Sequence, residues 1–179
     1  MTVPPHPDPA GFANPILDVD HLPRLDPTDF QPVDRRQLQL ELALLAVSTA
    51  VVGLGLAGVL LVGGSALGAL VVVAAATAIG ASGAGLIRAA HRRRGWLVRD
   101  HDLSIRRGIV RRRVTTVPFN RVQHAAVNTG PLDRHFGLAR LEVYTAGGQK
   151  ADLSLEGLPH DRAQQLRELV TERAQATER

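Results

Sequence analysis

The feature that most constrains this chain is a long stretch without ionised side chains. No charged residue lies between Glu41 and Arg88, so the apolar stretch 42–87 runs for 46 residues. A bilayer core about 30 Å thick is crossed by roughly 20 helical residues. The stretch is too long for one span and fits two, with a Gly-Gly-Ser interruption at 63–65. We therefore predict a transmembrane hairpin with helices over about 42–62 and 66–87.

Three alternatives to a membrane hairpin fit this stretch less well. A cleaved signal peptide begins near residue 1 with a basic region, whereas this stretch starts forty residues in, after an acidic segment. A pair of buried soluble helices carries a polar stripe at helical spacing, and none is present. An Ala/Gly linker of low complexity is not so rich in Val and Leu.

The flanking charges predict the orientation of the hairpin. Arginines precede the first helix at 35–36 and follow the second at 88 and 92–94. Retained positive charge marks the cytoplasmic side of a membrane. Because two spans return the chain to the side it left, we expect a multi-pass protein of the bacterial inner membrane with both termini in the cytoplasm. Small residues at four-residue spacing, such as Gly53/Ala57, leave open both a homo-oligomer and packing on a partner.

The residues before the hairpin have a different composition. Residues 1–34 hold eight of the eleven prolines and six Asp against one Arg. Such a segment buries too little apolar surface to order itself. We predict a disordered cytoplasmic tail over 1–34, ahead of the hairpin region 35–87.

The residues after the hairpin alternate in polarity over short runs. A basic juxtamembrane linker, 88–95, leads into a predicted β-rich domain over 96–175 with six short strands. Turns are predicted at 100–102, 106–108 and 147–148. After Pro159 the apolar residues fall at helical spacing, which predicts an amphipathic C-terminal helix. The fold class is therefore an α+β membrane protein.

Two segments of the predicted domain resemble a known family. The segments 117–124 (VPFNRVQH) and 130–138 (GPLDRHFGL) resemble the signature of the YdbS-like bacterial membrane proteins. The resemblance implies a two-helix membrane hairpin and a pleckstrin-homology (PH)-like barrel of about seven strands, closed by a C-terminal helix. It also implies a partner, another membrane protein with PH-like domains. A structural or a binding role stays open for the motif residues Pro118, Arg121, Gln123, His124, Gly130, Pro131, Leu132, Gly137 and Leu138.

Catalytic and metal chemistry find little support in the sequence. The chain has no cysteine, which excludes thiolate metal sites and a cysteine nucleophile. His101, Asp102 and Ser104 are adjacent in sequence, but a catalytic triad needs spatial convergence, and a turn explains them better. The histidines lack metal-ligand spacing, and no phosphate-binding glycine loop follows a strand. We expect no enzyme activity, no metal and no cofactor.

The arginines are the most informative charged residues. Ten Arg and two Asp lie between residues 88 and 113. Eight of these arginines are candidate contacts for membrane lipid or a partner: Arg92, Arg93, Arg94, Arg106, Arg107, Arg111, Arg112 and Arg113. Nucleic acid is not expected, because aromatic residues are few and the C-terminal helix is nearly neutral. The sequence favours an interaction or scaffolding subunit at the cytoplasmic membrane face, and the alternative is a sensor of anionic phospholipid headgroups.

Overall fold

The structure is a computed structural model and describes residues 27–109, 111–146 and 150–177. Within these ranges the chain forms four α-helices and seven strands. In chain order these are β1 (Gln31–Pro32), α1 (Arg35–Val62), α2 (Ala66–His91), β2 (Gly95–Val98), β3 (Asp102–Arg107), β4 (Arg113–Pro118), β5 (Val122–Asn128), α3 (Pro131–His135), β6 (Leu138–Thr145), β7 (Leu153–Pro159) and α4 (His160–Thr177).

The apolar stretch forms an antiparallel helix pair. Helix α1 begins after Asp34, whose carboxylate accepts a hydrogen bond from the Arg36 backbone N–H at 2.8 Å, so the helix has a side-chain N-cap. The chain turns at residues 63–65 and returns through α2. Both helices extend beyond the apolar stretch: α1 begins seven residues before it and α2 ends four residues after it. Each is long and apolar enough to cross a membrane by length and composition.

The strands divide into two antiparallel sheets. One sheet has the order β1-β2-β3-β4 and the other β5-β6-β7. The expected α+β architecture with a C-terminal helix is therefore present. In the described residues the seven strands form two sheets and not one continuous barrel, and β1 comes from the segment ahead of the hairpin.

The segment before α1 corrects part of the predicted tail. The prediction for residues 1–26 lies outside the described residues. Residues 27–34, however, belong to the fold, because β1 pairs with β2 through Gln31 opposite Trp96 and Pro32 opposite Gly95. Phe30 and Val33 are buried on either side of this strand. Burial of these two apolar side chains and the pairing with β2 hold the segment on the domain.

The two sheets and α4 enclose one apolar core. Leu103 of β3, Leu141 and Val143 of β6, and Ala163 and Val170 of α4 are all at most 1% exposed. Helix α4 contributes the apolar face that its sequence predicts, and its polar residues face outward. The helix therefore covers the core, as the resemblance implied.

Two predicted turns have different outcomes. The turn at 106–108 is wrong for its first two residues, because Arg106 and Arg107 continue strand β3 and pair with Val114 and Arg113. The bend follows at Gly108. The predicted turn at 147–148 lies outside the described residues.

Candidate functional site: an arginine pocket beside the helix pair

The end of α2 and the β3–β4 hairpin meet at a basic cavity. Its volume is about 350 Å³, and four arginines line it together with Phe30, Gly108 and Val114. We call this cavity the arginine pocket; its arginines are Arg92, Arg93, Arg106 and Arg112. The structure thus brings together four of the eight arginines that the sequence singled out.

Residues far apart in the sequence hold the pocket together. The Arg93 guanidinium donates a hydrogen bond through Nη1 to the backbone carbonyl of Ile109, which ties the end of α2 to the hairpin tip. The guanidinium carbon of Arg106 lies 4.9 Å from the centre of the Phe30 ring, a cation–π contact. Phe30 comes from the segment before the hairpin, so three separate stretches of chain build this site.

Gly108 makes the bend that brings Arg112 to the pocket. Its φ is +106°, and a Cβ at this position would lie 2.0 Å from the carbonyl oxygen of Arg111. Only glycine fits such a close approach of two backbones. Gly108 is therefore required where its backbone approaches that of Arg111, and Arg112 lines the arginine pocket.

The other four predicted arginines do not line the arginine pocket. Arg94 forms an ion pair with Glu41 of α1. Arg107 lines a separate cavity of about 200 Å³, together with Arg94, Arg106 and Glu156. Desolvation by burial lowers the pKa of Arg107, and the nearby Glu156 carboxylate acts in the opposite direction. Arg111 and Arg113 are exposed to solvent outside the pocket.

The first family motif lies elsewhere on the domain. Gln123 and His124 are exposed on β5 and line a cavity of about 210 Å³ between β5 and α4. The His124 ring packs against Tyr144 with 5.8 Å between ring centres. Arg121 is exposed, and no carboxylate forms an ion pair with it among the described residues. These residues are not part of the arginine pocket.

The second family motif builds a short helix that the sequence-based prediction missed. Gly130 precedes α3, and its backbone N–H donates to the Asp133 carboxylate at 3.2 Å. Pro131 occupies the first helical position, where its missing N–H costs no hydrogen bond. The occurrence of Pro131 and Asp133 two positions apart is typical of a helix start and could have indicated this helix. Leu132 on this helix is 51% exposed, whereas Leu138 after the turn is fully buried.

Comparison with known proteins places the chain in a family. Residues 42–174, most of the 179-residue chain, match the family described as Bacterial PH domain. The chain belongs to this family, and the PH-like part of the resemblance is confirmed. The matched range begins at the apolar stretch, so it includes most of α1, all of α2 and strands β2 to β7, but not β1. No curated protein and no solved structure matches the chain.

Proposed function

We propose that the protein is a non-enzymatic PH domain anchored by a transmembrane hairpin, whose arginine pocket contacts anionic phospholipid headgroups at the cytoplasmic membrane surface. The observation that carries the proposal is the position of the arginine pocket at the end of α2. Two of its arginines directly follow the apolar helix, and the other two come from the domain.

Exposure of the apolar helices supports the membrane part of the proposal. The most apolar window of α2 has none of its residues buried, and that of α1 has 11% buried. Large side chains such as Val52, Leu54 and Leu67 are 66–75% exposed. A helix pair inside a water-soluble domain would bury such side chains, since each gains about 1.5–3 kcal/mol on leaving water. In a bilayer, lipid tails surround such side chains and remove them from water in the same way.

The orientation follows from the arginines at the helix ends. Arg35 and Arg36 begin α1, and Arg88 lies in the last turn of α2. Positive residues retained beside a span mark the cytoplasmic side. We therefore propose that both termini and the PH domain are cytoplasmic and that the turn at 63–65 faces the opposite side.

Contacts between the domain and the hairpin support a fixed height above the membrane. The backbone N–H of Asp34 donates to the carbonyl of Gly157 in β7 at 3.2 Å. The Glu41–Arg94 ion pair joins α1 to the residues that follow α2. The domain is therefore held at both the entry and the exit of the hairpin, which keeps the arginine pocket at headgroup level.

Electrostatics supply the driving force. An anionic leaflet attracts each nearby Lys or Arg by about 1 kcal/mol, and the attraction falls off within a Debye length. Guanidinium groups suit phosphate because their donors match its oxygen atoms in pairs. Four arginines around one cavity thus favour headgroups with a net negative charge over zwitterionic ones, in which a cation offsets the phosphate.

Hydrogen–deuterium exchange of the full chain in lipid nanodiscs tests the proposal. We expect backbone amides of residues 103–118 to exchange more slowly in nanodiscs containing phosphatidylglycerol than in phosphatidylcholine alone, with the difference shrinking as salt rises. The double variant Arg92→Gln/Arg112→Gln should lose the difference. The matched control Arg121→Gln/Arg134→Gln removes two exposed arginines outside the pocket and should keep it.

Two results would contradict headgroup contact. One is equal exchange of residues 103–118 in the two lipids. The other is a lipid-dependent difference that survives in the double pocket variant. Both leave the anchoring of the hairpin itself to be judged by fractionation.

A second candidate function is an interaction subunit of a YdbS-like assembly, docked on another membrane protein with PH-like domains. The observation that favours it is the exposure of Leu132, a motif residue on α3 that is 51% exposed. Replacement of Leu132 with Ser removes apolar surface without touching the core. We expect the variant to lose partners that the intact chain retains in mild detergent. Recovery of the bait alone from both proteins would count against this role.

A further inference from the structure

A second cavity lies between the two long helices, within the apolar stretch. It has a volume of about 610 Å³ and opens along one side of the helix pair. We call it the interhelical groove. Most of the residues that line it are small, among them Ala46, Ala50 and Gly53 of α1 and Ala76, Ala81 and Ala84 of α2.

Close approach of the helix backbones explains why the groove is present. A Cβ on Gly53 would lie 2.8 Å from the Cβ of Ala76, and one on Gly80 would lie 3.4 Å from Thr49 Oγ1. The helices therefore touch along the floor of the groove, while the small flanking side chains do not reach across it. The space between them is therefore open to the apolar groups that surround the helix pair in a bilayer.

The two threonine hydroxyl groups in the groove walls already have hydrogen-bond partners. The hydroxyl of Thr49 donates to the Leu45 carbonyl at 2.6 Å, and that of Thr77 donates to the Val73 carbonyl at 2.8 Å. Both hydroxyls are thus satisfied within their own helices. The interior of the groove is apolar, as an acyl chain requires.

One end of the groove carries a cation. Arg88 lines the groove at the end where Leu42 begins the apolar stretch. Its side chain is exposed, and no carboxylate pairs with it in the part of the chain that the structure describes. Arg92 follows Arg88 by four residues, about one helical turn, and lines the arginine pocket. Arg88 of the groove and Arg92 of the arginine pocket therefore lie about one helical turn apart at the end of α2.

The length of the groove matches one leaflet. Along α1 it extends from Leu42 to Leu54, twelve residue steps, and along α2 from Val73 to Arg88, fifteen steps. At a rise of roughly 1.5 Å per residue these are about 18 Å and about 22 Å, the longer one ending at Arg88 beside the headgroups. Half of a hydrocarbon core about 30 Å thick is about 15 Å. A partner helix would require a face along the whole span, whereas an acyl chain from the leaflet beside Arg88 requires only this half.

We infer that the interhelical groove binds one acyl chain of an anionic phospholipid, with the lipid phosphate held by Arg88. This inference rests on the proposed function, since the groove meets lipid only if the hairpin lies in the bilayer. It adds a defined lipid site to the general attraction of the arginine pocket. Arg88 selects an anionic lipid over phosphatidylcholine, because the choline cation of the latter offsets its phosphate charge.

Native mass spectrometry of the delipidated full chain in mild detergent tests the site. Phosphatidylglycerol and phosphatidylcholine are added separately, and the number of lipids retained per chain is measured. We expect one retained phosphatidylglycerol. Arg88→Gln should weaken its retention about fivefold, the loss of ~1 kcal/mol of attraction at 1.4 kcal/mol per tenfold. Ala81→Phe fills the groove and should abolish retention.

Two variants serve as matched controls. Arg35→Gln removes an exposed arginine at the same end of the hairpin, and Ala75→Phe adds the same ring to an exposed position outside the groove. Both controls should retain phosphatidylglycerol as the unmodified chain does. A fold check by size exclusion accompanies each variant. Because Arg88→Gln adds no bulk to the helix pair, its lipid retention tests the site even if Ala81→Phe fails to fold.

Several outcomes would overturn the inference. Equal retention of the two lipids would remove the role of Arg88, as would undiminished retention by Arg88→Gln. Full retention by a folded Ala81→Phe would place the lipid elsewhere. A dimer lost only in Ala81→Phe would make a second copy the occupant. Alkaline washing of membranes distinguishes failure of the groove site from failure of the membrane hairpin. A chain that stays in the membrane without retaining lipid refutes the groove site alone. A chain that washes off refutes the anchored hairpin as well.

Discussion

Replacement of Gly157 with Ala tests the docking of the hairpin entry on the PH domain. Gly157 lies in β7 with φ of +72°. A Cβ there would lie 2.5 Å from Val33 Cγ1 and 2.8 Å from both Cβ and Cγ of Gln37. Val33 lies just before α1, and Gln37 lies in its first turn. The added methyl group therefore pushes directly on the contact between domain and hairpin.

The expected cost has two parts. A left-handed backbone costs a non-glycine residue about 1–2 kcal/mol. Overpacking of a well-packed site costs about 1–3 kcal/mol more. The free energy of unfolding of Gly157→Ala should therefore fall by about 2–5 kcal/mol. Gly137→Ala is the control, because its φ is +67° but its Cβ would meet only the flexible end of Arg36, at 3.2 Å from Nη1.

Denaturant unfolding of the full chain in detergent, followed by the fluorescence of the single tryptophan, measures both variants. Trp96 is 5% exposed and lies opposite Gln31, so its emission reports on the region at issue. Gly137→Ala should lose only the backbone part. Truncation of Val33 to Ala removes one of the clashing atoms, so Val33→Ala and Gly157→Ala should be non-additive in a double-mutant cycle. Equal losses in the two glycine variants would refute the packing of this segment against β7.

Two further predictions concern charges. Removing the charge of Glu41 with Glu41→Gln breaks the partly buried ion pair with Arg94 and should lower the free energy of unfolding by about 1.5–3 kcal/mol; Arg35→Gln, measured in the same denaturant titration, should change it by much less. Hydrogen bonds from the Thr145 hydroxyl and backbone N–H lower the pKa of Asp152, so its stabilising contribution is complete above the unfolded pKa of about 3.9 and is lost as pH falls through the lower folded value. Melting temperatures across this acidic range should depend less on pH in Asp152→Asn than in the unmodified chain, and identical pH profiles would contradict this assignment.

The helix pair and the C-terminal helix were predictable because their signals are local. The sequence shows directly that no charged residue lies between Glu41 and Arg88 and that glycines interrupt this stretch at 63–64. Neither observation requires knowledge of other parts of the chain. The apolar spacing after Pro159 is equally local. Each of these elements has a length and a periodicity that depend on neighbouring residues only.

The missed elements depend on long-range contacts. Strand β1 has two residues, one of them proline, and becomes a strand only because α1 and α2 return the chain so that Gln31 lies opposite Trp96. Arg106 and Arg107 suggest a turn by their charge, yet Arg106 packs on Phe30 and Arg107 lies near Glu156. The arginine pocket could therefore be predicted as a cluster of charges, but not as a set of four with an aromatic wall.

We propose that the apolar stretch crosses the membrane twice and leaves the PH domain in the cytoplasm. The chain has no cysteine, so single-cysteine variants report their side of the membrane without background. Labelling of intact cells with a membrane-impermeant maleimide is compared for Ser65→Cys, in the turn between the helices, and Glu172→Cys, on the exposed face of α4. We expect labelling of Ser65→Cys in intact cells and of Glu172→Cys only after the cells are opened. Labelling of Glu172→Cys in intact cells, or protection of Ser65→Cys until lysis, would contradict it.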